Sequence, residues 1–184
     1  MNRRIAIRNM ALILGSAVVL PSCLTDKGKP VVQLKKLKVD DDQEQLVNNL
    51  TETILPKTDT PGAGELGINL FVFKMIDDCY DKAHQADFMK GLGDFADAAK
   101  KQLGKPFNES TAAERTAFVS KIEKNAKDKK YKDDTKLTAF YQMVKDQTVF
   151  GYTTSKYFMT KQIVYELVPG RYNAYFPVKK LATV

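Results

Sequence analysis

Histidine and cysteine are scarce in this sequence, and their scarcity excludes most cofactor sites. His84 is the only histidine, so a metal site built from several histidines is excluded. The two cysteines, Cys23 and Cys79, cannot ligate an iron–sulfur cluster by themselves, and neither belongs to a CxxCH haem motif. No glycine-rich loop follows a strand-like segment, so the usual cradle for nucleotide or flavin phosphates is absent. We therefore expect no flavin, haem or metal in this chain.

No sequence pattern marks a set of catalytic residues. A Ser-His-Asp site that uses His84 is left open, but no pattern marks one. Paired acids such as Asp77 and Asp78 are more typical of a solvated helix face than of an acid–base pair. We expect no catalytic residue in the chain and no enzymatic activity of the chain by itself.

The charge balance does not indicate a nucleic-acid partner. The formal net charge of +7 includes Arg3, Arg4 and Arg8, which lie in an N-terminal segment without acidic residues. If that segment is removed, these three charges go with it and +4 remains. A charge of that size is ordinary for a soluble surface, so we expect no nucleic-acid binding.

The first 22 residues have the pattern of a signal peptide. Their basic start is followed by the apolar run Met10–Leu20, which is too short to span a bilayer comfortably. The stretch Asn2–Arg8 resembles a twin-arginine export motif through Arg3 and Arg4, although Ala6 stands where phenylalanine is preferred. A Sec leader that contains two arginines is the alternative. In either case we expect export to the periplasmic side of a bacterial membrane.

Cys23 closes a stretch that resembles a bacterial lipobox, Leu20-Pro21-Ser22-Cys23, despite the unusual proline. We expect cleavage before Cys23 and its acylation, so that residues 23–40 form a lipid-anchored linker. Five lysines of this linker could favour anionic headgroups, and a plain solvated linker is the alternative: Lys27, Lys29, Lys35, Lys36 and Lys38. Acylation leaves Cys79 without a disulfide partner, and its apolar neighbours predict a buried, inert thiol.

Apolar residues recur at helical spacing through residues 41–184, and no strand-like alternation persists. The pattern predicts an all-α domain, a small irregular bundle of about five to six helices. The first predicted helix begins near Asp41 or Asp42 and is stopped by Pro56, the second runs from about Glu65 to Asp81, and the third covers Phe88–Leu103 and is ended by Gly104. The fourth is capped by Ser110 or Thr111, and Thr111 with Glu114 fits a capping box. The fifth extends from Leu137 to Gly151, and the sixth runs from Thr154 or Ser155 to about Leu167.

Ten aromatic residues crowd into the stretch Phe140–Pro177, and several of them follow the last predicted helix. A monomer core needs few aromatics there, so the surplus indicates a partner surface. Pro61-Gly62 and Pro169-Gly170 are typical of type II turns, in which the glycine has a positive φ. We predict an interface around these turns, and coverage of the end of the bundle is the alternative. The candidate interface residues are Asp59, Thr60, Pro61, Gly62, Tyr152, Ser155, Pro169, Gly170, Arg171, Tyr172 and Tyr175.

Four stretches of the chain form a specific pattern through their order and spacing. They are the twin-arginine-like leader, Ile54–Pro56 with Thr58–Ala63, Gly151–Ser155, and Tyr165–Tyr172. Through these stretches the chain resembles the gluconate 2-dehydrogenase subunit 3 family, and the resemblance extends from about Leu46 to Pro177.

This resemblance implies a helical subunit without a cofactor of its own. Members of the family pair with a large FAD-containing subunit of the glucose–methanol–choline oxidoreductase type, often together with a cytochrome c. The small subunit is expected to aid maturation or export of the large one. The lipobox departs from the family pattern and suggests that this chain also anchors the complex to the membrane. The alternative is a free-standing exported lipoprotein that acts as a binding or structural module.

The lipid anchor can be tested at Cys23. We expect a mature protein that begins at acylated Cys23 and fractionates with membranes, and mass spectrometry of the N-terminal peptide checks the acylation. The Cys23→Ala variant should move to the soluble fraction. A Cys23→Ala protein with a cleaved leader that stays equally membrane-bound would contradict the anchor.

Overall fold

Helices are the only regular secondary structure in the part of the chain that the computed structural model describes, which comprises residues 34–127, 135–163, 168, 170, 174 and 175. The α-helices in these ranges are α1 (Asp41–Ile54), α2 (Ile68–Cys79), α3 (Lys82–Leu103), α4 (Ala112–Lys127) and α5 (Thr135–Thr153). A 3-10 turn covers Phe107–Glu109, and a π-helical turn covers Phe158–Gln162. The predicted all-α bundle of five to six helices is confirmed.

Local capping chemistry sets the helix starts that the sequence predicted. Asp40 precedes α1, and its side chain accepts a 2.8 Å hydrogen bond from the Gln43 N–H, while the Gln43 side chain accepts one from the Asp40 N–H. The Thr111–Glu114 capping box before α4 is confirmed, since the Thr111 N–H donates to Glu114 Oε2 at 2.7 Å. Such caps satisfy the free N–H groups of a first helical turn.

Several helix ends differ from the prediction. Helix α3 begins at Lys82 rather than at Phe88, because the Asp81 side chain caps it by accepting a hydrogen bond from the His84 N–H at 2.9 Å. Helix α2 accordingly ends at Cys79 rather than at Asp81. Helix α2 begins at Ile68 rather than at Glu65, since Gly67 before it adopts a left-handed conformation with φ of 64°. Helix α5 continues through Gly151 to Thr153. Gly151 does not end α5. Because it has no side chain, it leaves room for Phe71 of the neighbouring helix α2.

The predicted sixth helix is short in the described residues. The Ser155 hydroxyl accepts a hydrogen bond from the Phe158 N–H at 3.2 Å, which confirms Ser155 as a cap. The regular structure then ends with the π-helical turn at Gln162. The predicted end at Leu167 lies outside the described residues.

Helix α5 lies against all four other helices and carries much of the core. Its Phe140 ring lies 5.6 Å from that of Phe95 and 5.3 Å from that of Phe88, both on α3. Helix α3 can come this close because Gly91 has no side chain. A Cβ atom at this position would lie only 2.6 Å from the Cβ of Phe140. The lack of a side chain at Gly91 therefore allows α3 and α5 to pack closely in the core.

The last residues of the predicted linker belong to the folded domain. Leu37 and Val39 are buried in the core, so the linker prediction is wrong for residues 34–40, which we name the strap. Residues 23–33, which include Cys23, lie outside the described residues, as do Arg3 and Arg4.

Asp77 on α2 holds the strap in place. Its carboxylate accepts hydrogen bonds from the N–H groups of Lys35 at 2.8 Å, Lys36 at 2.7 Å and Leu37 at 2.8 Å. Asp77 is fully buried, so its predicted position on a solvated face is wrong. Burial alone would raise the pKa of Asp77, but the three N–H donors outweigh it and the pKa lies below the usual aspartate value.

Cys79 is exposed, which contradicts the predicted buried thiol. It is the last residue of α2, and Tyr80 after it adopts an extended conformation that carries the chain away. The apolar neighbours in sequence, such as Phe73 and Ile76, occupy the buried face of the helix instead.

No helix in the described ranges is both long and apolar enough to cross a membrane.

The strap contact predicts a large effect of Asp77→Ala on folding stability. This change leaves three N–H groups without their acceptor, and we expect a loss of about 3 kcal/mol in the free energy of unfolding. Asp78→Ala is the matched control, because Asp78 is exposed and pairs with Lys74 at 2.9 Å on the surface, a contact worth less than about 1 kcal/mol. Urea denaturation measures both variants, and equal losses would contradict the role of Asp77.

Acid unfolding gives a second reading of the same variants. Because the folded-state pKa of Asp77 is lowered, its contribution to stability is complete at neutral pH and disappears as the pH falls through that lowered value. Asp77→Ala should therefore flatten the pH dependence of stability on the acid side, whereas Asp78→Ala should keep the wild-type profile.

Candidate partner interface

Two of the segments predicted to form an interface lie side by side in the fold. The Tyr152 hydroxyl on α5 donates a 3.1 Å hydrogen bond to the carbonyl oxygen of Pro61, and it lies 3.4 Å from the Thr60 hydroxyl. Tyr152 and Pro61 are 91 residues apart in sequence. The long loop between α1 and α2 and the end of α5 therefore form one surface.

Glu52 fixes the shape of this loop and was not recognised in the sequence. Its Oε1 atom accepts a hydrogen bond from the Lys57 N–H at 3.0 Å, and its Oε2 atom accepts one from the Gly64 N–H at 2.7 Å. One signal could have found it. An acidic residue in the last turn of a helix opposes the helix dipole, so its position there indicates another partner.

Gly62 has a different role from the predicted one. The positive-φ glycines among the described residues are Gly67 and Gly104, so the type II turn predicted at Pro61-Gly62 is wrong. A Cβ atom at Gly62 would lie 2.5 Å from Glu52 Oε1 and 2.7 Å from the Lys57 nitrogen. The position needs glycine because the Glu52 carboxylate and the chain pass close to it, which is a steric requirement.

An exposed aromatic contact lies beside this loop at the end of α5. A Cβ atom at Gly151 would lie 2.5 Å from Cδ1 of Phe71, so the ring of Phe71 on α2 rests against the α5 backbone. The Phe71 and Phe150 ring centroids are 5.9 Å apart. Phe150 is 50% exposed although it is a large apolar side chain. The sequence placed Phe150 among the crowded aromatics but did not select it or Phe71 as interface residues.

Exposed apolar side chains concentrate toward the C-terminal end of the described chain. Those with the greatest exposure all follow residue 148, and they are Val149, Phe150, Ile163, Val168 and Tyr175. Val149 and Phe150 are consecutive residues, so exposed apolar area is present close to the end of α5.

The electrostatics of the loop are those of an ordinary exposed surface. Lys57 Nζ and Glu65 Oε1 lie 2.5 Å apart across the loop. This hydrogen bond raises the pKa of Lys57 and lowers that of Glu65, so both are charged at neutral pH. Within the described ranges, no three His, Cys, Asp or Glu side chains come together as a metal site. The surface offers hydroxyl, ionic and apolar contacts.

Only some of the predicted interface residues lie in the part of the chain that the structure describes. Thr60, Pro61 and Tyr152 are brought together, while Asp59 is exposed on the same loop. Ser155 caps the turn that follows α5. Gly170 and Tyr175 are exposed, and the type II turn predicted at Pro169-Gly170 includes a residue outside the described ones, so it stays a prediction. Pro169, Arg171 and Tyr172 lie outside the described residues, and an interface at any of these positions stays a prediction.

A family model described as gluconate 2-dehydrogenase subunit 3 matches residues 41–170. The matched range contains all five α-helices and the loop between α1 and α2 to which Glu52 is hydrogen-bonded. No curated protein and no solved structure gives a match.

The steric role of Gly62 is tested by Gly62→Ala. We expect a loss of about 1–3 kcal/mol in the free energy of unfolding, because the new methyl group displaces the Glu52 carboxylate or the Lys57 backbone. Gly93→Ala is the matched control, since a Cβ atom on this α3 glycine meets nothing within 4 Å. It should stabilise the helix by about 0.5–1 kcal/mol. Thermal unfolding of both variants decides, and a neutral Gly62→Ala would contradict the account.

Proposed function

Because the chain belongs to the gluconate 2-dehydrogenase subunit 3 family, we propose that it is the non-catalytic small subunit of an exported FAD-dependent gluconate or sugar dehydrogenase. In this role it binds a large flavin subunit of the glucose–methanol–choline oxidoreductase type. It assists the maturation, export or membrane anchoring of that subunit, and a cytochrome c is a further candidate member of the complex. The family match over residues 41–170 is the observation that carries the proposal.

The proposal places FAD in the partner subunit. The described part of this chain contains no strand from which a glycine-rich phosphate turn could lead into a helix. Its glycines at positions 62 and 64 surround the Glu52 carboxylate, which is a poor neighbour for a phosphate because both are negatively charged. These features of the described residues support the placement of FAD in the partner subunit.

The surface at the end of α5 is the proposed contact with the large subunit. Phe150 and Val149 present apolar area beside the loop that contains Thr60 and Pro61. Aromatic side chains with polar neighbours are typical anchors of protein interfaces. The contacts of Gly151 and Tyr152 hold this part of α5 in a fixed position, which lowers the entropic cost of binding. Arg171, Tyr172 and Tyr175 extend the proposed contact along the chain.

The contact is tested by Phe150→Ala in cells that also express the flavin subunit. Because the ring is half exposed, its loss should cost only about 1 kcal/mol of folding stability, less than the 3–5 kcal/mol typical of a buried phenylalanine. As an interface anchor it should weaken the complex by about 2 kcal/mol, or about thirtyfold in Kd. Co-purification measures the partner retained, and circular dichroism confirms the fold.

Met89→Ala is the matched control for this experiment. Met89 is a partly buried side chain on α3 that packs against the core, so its truncation also costs some stability. It should leave the amount of bound flavin subunit unchanged. If Phe150→Ala and Met89→Ala retain the partner equally, the end of α5 is not the interface.

A further inference from the structure

The net positive charge of the chain after the leader equals that of one short segment. Residues 24–39 contain five lysines and one acid, Asp26, which gives a net charge of +4. The chain after the leader also carries +4, so residues 40–184 are neutral in sum, with equal numbers of basic and acidic side chains. Three aspartates, Asp40, Asp41 and Asp42, follow this segment directly, so the basic character is local to its lysines.

The fold turns part of this segment into a fixed basic surface. Leu37 and Val39 are buried and the strap backbone is held by Asp77, so Lys35, Lys36 and Lys38 are presented to solvent from an ordered segment. Lys74 on α2 contributes a fourth ammonium group from the same side. Asp78 lies 2.9 Å from Lys74 and 3.9 Å from Lys35, and Asp77 beneath the strap and Asp40 at its end are further carboxylates beside these lysines. The ammonium groups of Lys36 and Lys38 form no ion pair with a described residue.

We propose that the strap, together with Lys74, is the surface with which the protein faces an anionic lipid bilayer. The inference rests on the membrane anchor of the proposed function. Leu34 follows Cys23 by eleven residues, so a lipid at Cys23 holds the strap within about 40 Å of the bilayer. Each lysine near an anionic surface strengthens binding by about fivefold, and a lipid chain with a basic segment is a known pairing of membrane signals.

This arrangement sets the orientation of the subunit. With the strap toward the lipid headgroups, the carboxyl end of α2 lies near the membrane and the lysines approach anionic headgroups. The apolar surface at the end of α5 contacts Phe71 in the first turn of α2, whereas Asp77 holds the strap at the last turn, so the two surfaces lie toward opposite ends of α2. The chain would then connect the dehydrogenase to the membrane in a defined orientation.

Cys79 provides a reporter for the test, because it is exposed and lies two residues after Asp77. A fluorophore on Cys79 of the full exported protein is read by energy transfer to an acceptor on the lipid headgroups. We expect greater transfer in vesicles that contain phosphatidylglycerol than in pure phosphatidylcholine at about 0.1 M salt. The difference should vanish at about 1 M salt, where the Debye length is about 3 Å. Equal transfer in both vesicle types at low salt would overturn the proposal.

Matched charge variants assign the effect to the strap. The triple variant Lys35→Gln, Lys36→Gln, Lys38→Gln should lose the increase in transfer that phosphatidylglycerol causes. The control variant Lys90→Gln, Lys124→Gln, Lys156→Gln removes the same charge from exposed positions on the body and should keep it. An equal loss in both variants would show that only total charge matters and would overturn the assignment.

The labelling itself separates this inference from the anchor. One fluorophore per chain means that Cys23 is blocked, whereas two mean that the lipid anchor is wrong. In the second case, vesicle binding of the full-length Cys23→Ser protein tests the strap directly. The triple strap variant should then bind phosphatidylglycerol vesicles about a hundredfold more weakly. Unchanged binding, or stronger retention of duplex DNA than of vesicles, would overturn the proposal.

Discussion

The close approach of α5 to its neighbours is the contact on which the rest of the structure depends. Gly91 on α3 lets the Phe140 side chain rest against the α3 backbone, and Gly151 on α5 does the same for Phe71 of α2. A larger residue at either position would separate helices that share one core. The position of α5 then decides what the surface shows, because Tyr152 reaches Pro61 only when the helix is in this place.

The packing of the helices leaves two parts of the surface that differ in chemistry. The end of α5 presents apolar side chains beside a loop that Glu52 holds in shape. The strap presents lysines and is held by Asp77, which joins it to α2. A small subunit that connects a dehydrogenase to a membrane needs one surface for a protein and one for lipid. The proposed function and the charge distribution therefore agree with each other, although different residues support them.

The sequence predicted most of what depends on neighbouring residues and missed what depends on distant ones. The Thr111–Glu114 capping box is formed within one helical turn, so its pattern could be recognised directly. The partners of Asp77 lie about 40 residues away, and no local pattern distinguishes it from exposed Asp78. Gly62 looked like a turn glycine because it follows a proline, yet its conformation is set by Glu52 ten residues earlier. For the same reason the aromatic surplus indicated a partner surface but did not single out Phe150.

The central claim is that this chain is the cofactor-free subunit of a flavin dehydrogenase. It is tested most directly by purifying the affinity-tagged chain from its native membranes and measuring the absorption spectrum and subunit composition of the product. The account predicts a yellow complex in which a second, larger polypeptide carries the flavin, and a colourless small subunit after the two are separated. A tagged chain that purifies alone without flavin, or that retains flavin after separation from every partner, would contradict it.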